Sequence, residues 1–218
     1  MPTHPKVTLV TCKAQPTLFH GEEGLPDELA ARGCDPQVKV WNDPDVDWSD
    51  AGMIVVRSVS DYAQDRRAFL EWTRSLRRVQ NSCDVLDWNS DKHYLKELAA
   101  LGMPTIPTNW LEPAQNLSKH QIHTRFPAFG EFVVKPAVSS GVRDIGRYTT
   151  VDTRQRQAAM RQVQGLLGEG RSVMIQRYVE EIDLHGEISL VFFNGLVSHA
   201  VEKRAALHPS SITDPTVH

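Results

Sequence analysis

A run of four apolar residues at positions 53–56 (MIVV) constrains the fold of the first half of this chain more than any other feature. A strand that is apolar at successive positions must be covered on both faces, which is typical of parallel sheets in α/β proteins. Two β-branched runs, at residues 6–12 and 38–41, precede it, and helical patterns begin at Pro26 and near Asp61. The order β-α-β-β-α predicts a small open α/β layer with a largely parallel sheet.

The second half of the chain has a different pattern, in which apolar runs are joined by shorter turns. Asn194 and Gly195 stand between two apolar runs, and this dipeptide is the strongest short signal for a β-hairpin. We predict a domain boundary at residues 88–90, a helix over residues 91–101 and a second helix that begins at Thr153. The predicted strands of this half cover residues 131–137, 147–151, 172–179, 188–193 and 196–201. An α+β region with antiparallel pairing is therefore expected.

The composition excludes several classes of function. Lys and Arg total 24 against 27 Asp and Glu, so a net charge of −3 gives no general attraction to nucleic acid or to an anionic membrane. The three cysteines are far apart and form no CxxC pair, so neither a zinc site nor a disulfide framework is predicted. No stretch approaches the roughly 20 apolar residues that span a bilayer, and the N-terminus shows no signal-peptide pattern. We expect a cytoplasmic protein.

Lys135 is the first candidate for chemistry. It ends an apolar strand (EFVVKPA), and a loop of small residues, VSSGVRDIG at positions 138–146, follows at once. A lysine fixed by a strand can hold a phosphate as a point charge, and loop amides near glycines can cradle further phosphate oxygens. The order GxxxxGK[ST] is absent, so this is not a Walker A loop. Taken alone, the motif is also typical of a surface lysine before a loop.

A second motif runs from residue 173 to residue 187 (VMIQRYVEEIDLHGE). An extended backbone can read the edge of an adenine with one N–H and one C=O, and a later carboxylate can accept hydrogen bonds from ribose hydroxyls. A third motif places Lys92 in the first turn of a helix, where the helix dipole disfavours a cation unless an anion lies nearby. Each motif also fits an ordinary structural role, as an edge strand with an acidic turn or as an exposed helical lysine.

Together, these motifs resemble the ATP-grasp superfamily, in particular its branch similar to prokaryotic glutathione synthetase and the ribosomal-protein glutamate ligases. The resemblance extends from about residue 54 to residue 203. It is carried by VVRS at the front, WNSDKHYLKELAALGMPTIPT, VVKPAVSSGVRDIGRY and VMIQRYVEEIDLHGEISLVFFNGLVSHAVEK, all in family order. It implies an α/β pre-ATP-grasp layer over residues 1–89 and an α+β ATP-grasp domain over residues 90–204. The A subdomain would cover about 103–168 and the B subdomain about 171–204, followed by an irregular tail at 205–218.

The resemblance also implies roles for particular residues. Lys92 and Lys135 would contact ATP phosphates, and the loop with Ser139, Ser140 and Gly141 would close over them. Adenine would be bound by Gln176, Tyr178 and Val179, ribose by Glu187, and the transferred phosphoryl group by Lys203. The family joins a carboxylate to an amine or thiol through an acyl-phosphate, with Mg²⁺ bridging the phosphates of ATP.

Two departures from the family pattern shape further expectations. Family metal ligands are expected after Lys203, where this sequence offers Asp214 before Pro215, a pattern more typical of a turn, so we assign no metal ligand. The chain thus resembles a C-terminally truncated member, and its last hairpin is expected to expose Phe192, Phe193 and Val197 and to favour a homodimer or another partner. Arg57 lies where a substrate contact is expected, although a structural ion pair explains it equally well.

Three functions therefore remain open at this point. The first is an ATP-dependent ligase. The second is a nucleotide-binding module that performs no chemistry. The third is a partner-dependent fragment that binds no nucleotide.

Overall fold

The computed structural model describes residues 4–207. The chain divides into two compact units, one formed by Met1–Tyr94 with Val138–Gly141 and the other by Leu95–Ala137 with Val142–His218. The first unit thus receives four residues from the loop that follows Lys135. The boundaries expected from the sequence, at residues 89, 168 and 204, stay predictions.

The first unit is built on a parallel sheet with the strand order β2-β1-β3-β4. Its strands are β1 (Lys6–Thr11), β2 (Asp35–Val40), β3 (Met53–Ser58) and β4 (Val79–Gln80). The chain leaves β1 toward one side of the sheet and returns to add β3 on the other side, so the strand order reverses between β1 and β3. The predicted parallel α/β layer is confirmed.

Three helices belong to this unit: α1 (Leu25–Ala31), α2 (Arg66–Ser75) and α3 (Cys83–Asn89). The helix predicted from Asp61 begins later, because the Asp65 side chain accepts a hydrogen bond from the Ala68 amide and caps α2 there. Helix α3 occupies the place of the predicted boundary, and Ser82 caps it. The buried side chains of this core come from the strands, from residues just outside the strands and from α2 and α3: Val10, Cys12, Trp41, Ala51, Ile54, Val59, Phe69, Leu70 and Leu86.

The second unit contains an antiparallel sheet with the order β5-β8-β6-β7, which confirms the predicted antiparallel pairing. Its strands are β5 (Thr108–Leu111), β6 (Glu131–Pro136), β7 (Gly146–Thr149) and β8 (Val173–Arg177). Three helices accompany it: α4 (Tyr94–Ala100), which begins at the division between the units, α5 (Lys119–His123) and α6 (Thr153–Gly168). One face of the sheet packs on α5 and α6 through Phe132, Val134, Tyr148, Val173 and Ile175.

A short helix, α7 (Glu181–His185), leads into a hairpin of β9 (Glu187–Phe193) and β10 (Leu196–Lys203). The turn has positive φ at Asn194 (49°) and Gly195 (79°), as the Asn-Gly pair predicts. Phe192, Phe193 and Val197 are 53%, 64% and 62% exposed, so the expected exposure of this hairpin is confirmed. Within residues 4–207, no helix has the length and apolar character needed to cross a membrane.

Tyr148 makes the stability of the second unit dependent on alkaline pH. Burial raises the pKa of its hydroxyl from 10.0 to about 12, and the hydroxyl donates to Gln162 Oε1 at 2.8 Å. The unfolded chain would lose this proton first, so the contribution of Tyr148 is complete below pH 10 and is lost as the pH rises toward 12. We expect Tyr148→Phe to flatten the fall of unfolding free energy over this range, as measured by urea unfolding. An unchanged slope would contradict this role.

Candidate functional site

The face of the second sheet that lies opposite α6 carries two of the predicted nucleotide residues, Lys135 and Gln176. Register places Thr108, Gln176, Val133 and Arg147 in one row across the four strands. Because side chains alternate along a strand, Lys135 shares this face with Val133, two positions away. One sheet face therefore carries the polar side chains of Thr108, Gln176, Arg147 and Lys135 beside Val133, while the other face belongs to the core.

Lys135 is only partly exposed on this face. Burial lowers the pKa of its ammonium below the ordinary 10.5, and the negative charge of Glu187 offsets part of this effect. The cation therefore costs free energy in the folded chain, and a bound anion would reduce that cost. This is the electrostatic environment expected of a lysine that contacts phosphate.

Glu187 and Lys203 are brought together as direct cross-strand partners at the base of the hairpin. Gly186 makes this pairing possible. Its backbone adopts φ 70° and ψ −164°, and a Cβ there would lie 2.4 Å from the carbonyl oxygen of Lys203. Lys135, Glu187 and Lys203 thus form one charged neighbourhood in the second unit.

Gln176, Tyr178 and Val179 lie at the end of β8 and in the turn that follows it. The Gln176 side chain is buried, and its Nε2 donates to Thr108 Oγ1 at 2.7 Å. The Tyr178 amide donates to the carbonyl of Glu131 at 2.9 Å, and the Val179 carbonyl accepts from the amide of Ile182 at 3.1 Å. The Gln176 side chain thus stabilises the sheet, and the extended backbone that follows it is the part suited to reading a base edge.

In the first unit, Lys92 and Ser139 are in direct contact. The Lys92 ammonium donates to Ser139 Oγ at 2.7 Å and to its carbonyl at 3.1 Å, and the Tyr62 hydroxyl donates to the same carbonyl at 3.2 Å. Ser140 and Gly141 follow, with Gly141 at a φ of 62°. Ser139, at the start of the predicted phosphate loop, is thus bonded to Lys92, and both were predicted to contact the phosphates of ATP.

Arg57 lies near the carboxyl end of β3, beside the point where the strand order of the first sheet reverses. Ligands of open α/β sheets bind at such a point. The Arg57 guanidinium pairs with Glu22, whose other carboxylate oxygen accepts from the Ser58 hydroxyl at 2.7 Å. The ion pair expected as one explanation of Arg57 is present, and a substrate contact stays a prediction.

The described part of the chain contains no group of three or more His, Cys, Asp or Glu side chains that could hold a metal ion. Asp214, the weak metal-ligand candidate of the sequence, lies outside the described residues. Mg²⁺ often binds through one or two carboxylates together with nucleotide phosphates, so it stays an expectation tied to ATP.

Arg147 is not among the residues predicted from the sequence. Its side chain is 4% exposed and pairs with Glu131 and Asp183. Its position after the loop, in a short strand otherwise suited to burial, was the available signal, because a buried cation requires acidic partners. Those partners come from strands and helices far away in sequence.

Comparison with known proteins identifies relatives of this chain. Residues 7–86 match the family model described as the N-terminal domain of the D-cycloserine synthetase DcsG. The cycloserine biosynthesis protein DcsG of Streptomyces lavendulae is 37% identical over 195 residues, which cover 87% of this chain and 61% of DcsG. The crystal structure of D-cycloserine synthetase DcsG matches with a TM-score of 0.80 and 34% identity, over 93% of this chain and 69% of that one.

The chain belongs to the ATP-grasp family. A RimK domain ATP-grasp protein from Sphaerobacter thermophilus shares this fold, with a TM-score of 0.57 and 16% identity over 80% of this chain and 64% of that structure. The ATP-grasp fold expected from the sequence is therefore confirmed. This ATP-grasp chain spans 61% of the length of DcsG, the relative with which it shares the family.

Proposed function

We propose that this chain forms the nucleotide-binding part of an ATP-dependent ligase. The observation that carries the proposal is the environment of Lys135, a partly buried cation whose charge is poorly compensated on a sheet face that also bears polar groups. A phosphate oxygen would supply the missing negative charge. Lys92 and the loop residues Ser139, Ser140 and Gly141 would contribute further phosphate contacts.

The adenosine end of ATP would be bound beyond β8. Since the Tyr178 amide and the Val179 carbonyl already have backbone partners, we assign the Val179 amide as the backbone donor to N1 of adenine. N1 of adenine accepts a hydrogen bond, whereas N1 of guanine carries a hydrogen, so this donor favours adenine. Glu187 would accept hydrogen bonds from the ribose hydroxyls.

The ligase chemistry proposed here proceeds through an acyl-phosphate. A substrate carboxylate oxygen attacks the γ-phosphorus, ADP leaves, and an amine or thiol then displaces phosphate from the acyl carbon. Lys203 would hold the transferred phosphoryl group as negative charge develops on it. Mg²⁺, bound with ATP, would neutralise phosphate charge.

The substrate class is proposed from the relative. DcsG is named for D-cycloserine, a small cyclic amino-acid derivative. We therefore expect a small amino-acid carboxylate, with Arg57 as its contact at the edge of the first sheet. The exposed hairpin β9–β10 would be covered by a second copy of the chain or by another polypeptide.

The experiment is thermal unfolding of the chain alone, with Mg·ATP and with Mg·GTP, followed by an assay of ADP release with small amino acids. Saturation at about 100 times Kd adds about 2.7 kcal/mol to the folded state. This corresponds to a rise in Tm of several degrees for a chain of this size. The rise should be larger for ATP than for GTP, because the Val179 amide can donate to N1 of adenine but not to the protonated N1 of guanine.

Three outcomes separate the open functions. A rise in Tm with ADP release supports the ligase. A rise without ADP release, across a broad panel of amino acids, supports a binding module. Cooperative unfolding that neither nucleotide shifts would contradict nucleotide binding and with it the whole proposal.

A further inference from the structure

Arg147 is bonded to three other residues of the second unit, and none of the roles assigned so far uses it. It is the second residue of β7, in the same row as Val133 and Gln176 on the sheet face that carries Lys135. Its side chain is 4% exposed, although it carries a full positive charge. A buried guanidinium of this kind is retained only where its donors are satisfied.

The guanidinium joins segments that are distant in sequence. Its Nε donates to Glu131 Oε2 at 2.8 Å, and its Nη2 also contacts that oxygen. Its Nη1 and Nη2 donate to Asp183 Oδ1 and Oδ2 at 2.9 and 2.7 Å, a bidentate pair, and Nη1 also donates to the Leu207 carbonyl at 3.0 Å. The acidic partners belong to the start of β6 and to α7, which enclose the turn after β8.

Tyr178, in that turn, is held by the same cluster. The Arg147 guanidinium lies over its ring, 3.5 Å from the centroid, and the Tyr178 hydroxyl donates to Asp183 Oδ1 at 2.5 Å. Its amide is bonded to Glu131, whose carboxylate also binds Arg147. Ring, hydroxyl and backbone of Tyr178 are therefore all fixed by groups that Arg147 connects.

We propose that Arg147 is the positioning residue of the adenine-binding turn, acting through Tyr178. It stacks on the ring and fixes Asp183 and Glu131, so the backbone of the turn, with the Val179 amide, keeps its orientation toward the base edge. Arg147 touches neither the base nor the phosphates. This inference rests on the proposed nucleotide site and adds a residue to it.

The location of this cluster predicts a selective effect on the two ends of the nucleotide. Phosphate contacts are assigned to Lys92, Lys135 and the loop, and adenosine contacts to the turn. A change at Arg147 should therefore weaken adenosine and leave inorganic tripolyphosphate unaffected. A purely structural role would weaken both ligands together or neither.

The experiment measures the Kd of adenosine, tripolyphosphate and ATP by calorimetry for the unsubstituted chain, Arg147→Lys and Arg147→Met. We expect adenosine binding to weaken about tenfold in Arg147→Met, the equivalent of about 1.4 kcal/mol. Arg147→Lys should recover part of the loss, since lysine keeps the charge without the bidentate geometry. Tripolyphosphate affinity should stay within twofold. Arg171→Met is the matched control, because Arg171 also pairs with two acids in this unit, Asp144 and Glu169.

A double-mutant cycle with Tyr178→Leu tests whether the effect passes through the tyrosine. Arg147→Lys should weaken adenosine binding in the unsubstituted background and have no effect in the Tyr178→Leu background. This cycle also decides the matter if Arg147→Met does not fold. Additive effects, or equal losses for adenosine and tripolyphosphate, would overturn the inference while leaving the nucleotide site intact. If the unsubstituted chain binds none of the three ligands, the proposed function fails and the inference fails with it.

Discussion

Lys135→Met should abolish the rise in Tm that Mg·ATP produces and, at the same time, make the chain more stable in the absence of nucleotide. The first effect follows because the ammonium is the assigned phosphate contact. The second follows because burial lowers the pKa of Lys135, so its charged form destabilises the folded state. Methionine has a similar length and no charge, so it fills the same space without that penalty.

The lowered pKa of Lys135 also determines how the unfolding free energy changes with pH. With a pKa below 10.5 in the folded state, Lys135 binds fewer protons there than in the unfolded chain. The unfolding free energy of the unsubstituted chain should therefore rise with pH as Lys135 deprotonates in the folded state. The rise should end near pH 10.5, the ordinary pKa that Lys135 has in the unfolded chain. This contribution should be missing in Lys135→Met. Urea unfolding over a series of pH values, with and without Mg·ATP, measures both effects.

Lys119→Met provides the control, since Lys119 lies in the same unit but is exposed on α5. It should change neither the nucleotide shift nor the stability by more than about 0.5 kcal/mol. A lower stability of Lys135→Met without nucleotide, or a preserved nucleotide shift, would contradict the role given to Lys135.

Gly186→Ala should open the base of the hairpin β9–β10. The backbone of Gly186, at φ 70° and ψ −164°, occupies a region that is essentially limited to glycine, and another residue there costs about 1–3 kcal/mol. The added Cβ would also lie 2.4 Å from the Lys203 carbonyl oxygen, which belongs to backbone and cannot rotate away. The pairing of Glu187 with Lys203 would therefore be lost first.

Hydrogen exchange is the suitable measurement, because the hairpin forms a sheet of its own and can open locally. Amides of β9 and β10 should exchange at least about tenfold faster, the equivalent of about 1.4 kcal/mol, while those of β6 and β8 should be unchanged. ATP should also bind more weakly, since Glu187 and Lys203 would be displaced. Gly170→Ala is the control that distinguishes a steric clash of the new Cβ from the backbone strain of a positive φ. Gly170 also has a positive φ (76°), but nothing lies within 4 Å of a Cβ there. Equal effects of the two substitutions would contradict the importance of the close approach.

Much of the fold could be predicted from periodicity, because strands such as β3 and β6 are apolar and bounded by turn residues. The elements that were missed are short. Strand β5 has four residues directly after two prolines, and its pairing with β8 joins Thr108 to Gln176. Helix α3 was missed even though Ser82 offered a cap, since seven residues carry too little periodicity to be distinguished from a linker.

The candidate site was predictable where one residue type in one local motif is sufficient. Lys135 before a loop of small residues and Glu187 after a glycine are motifs of this kind. The role of the Gln176 side chain was not predictable, because its partner Thr108 is brought to it only by sheet register. Arg147 was missed for the same reason, since Glu131 and Asp183 become its partners only after three segments of the chain have come together.

The four residues Val138–Gly141 have a consequence for recombining this chain with its relatives. They cluster with Met1–Tyr94, and Ser139 is bonded there to Tyr62 and Lys92. A chimera joined at a single crossover after Tyr94 would therefore pair one parent's Tyr62 and Lys92 with the other parent's loop. An exchange that keeps these contacts needs three junctions, after Tyr94, Ala137 and Gly141. The two units therefore cannot be exchanged as two continuous segments, even though each has a separate core.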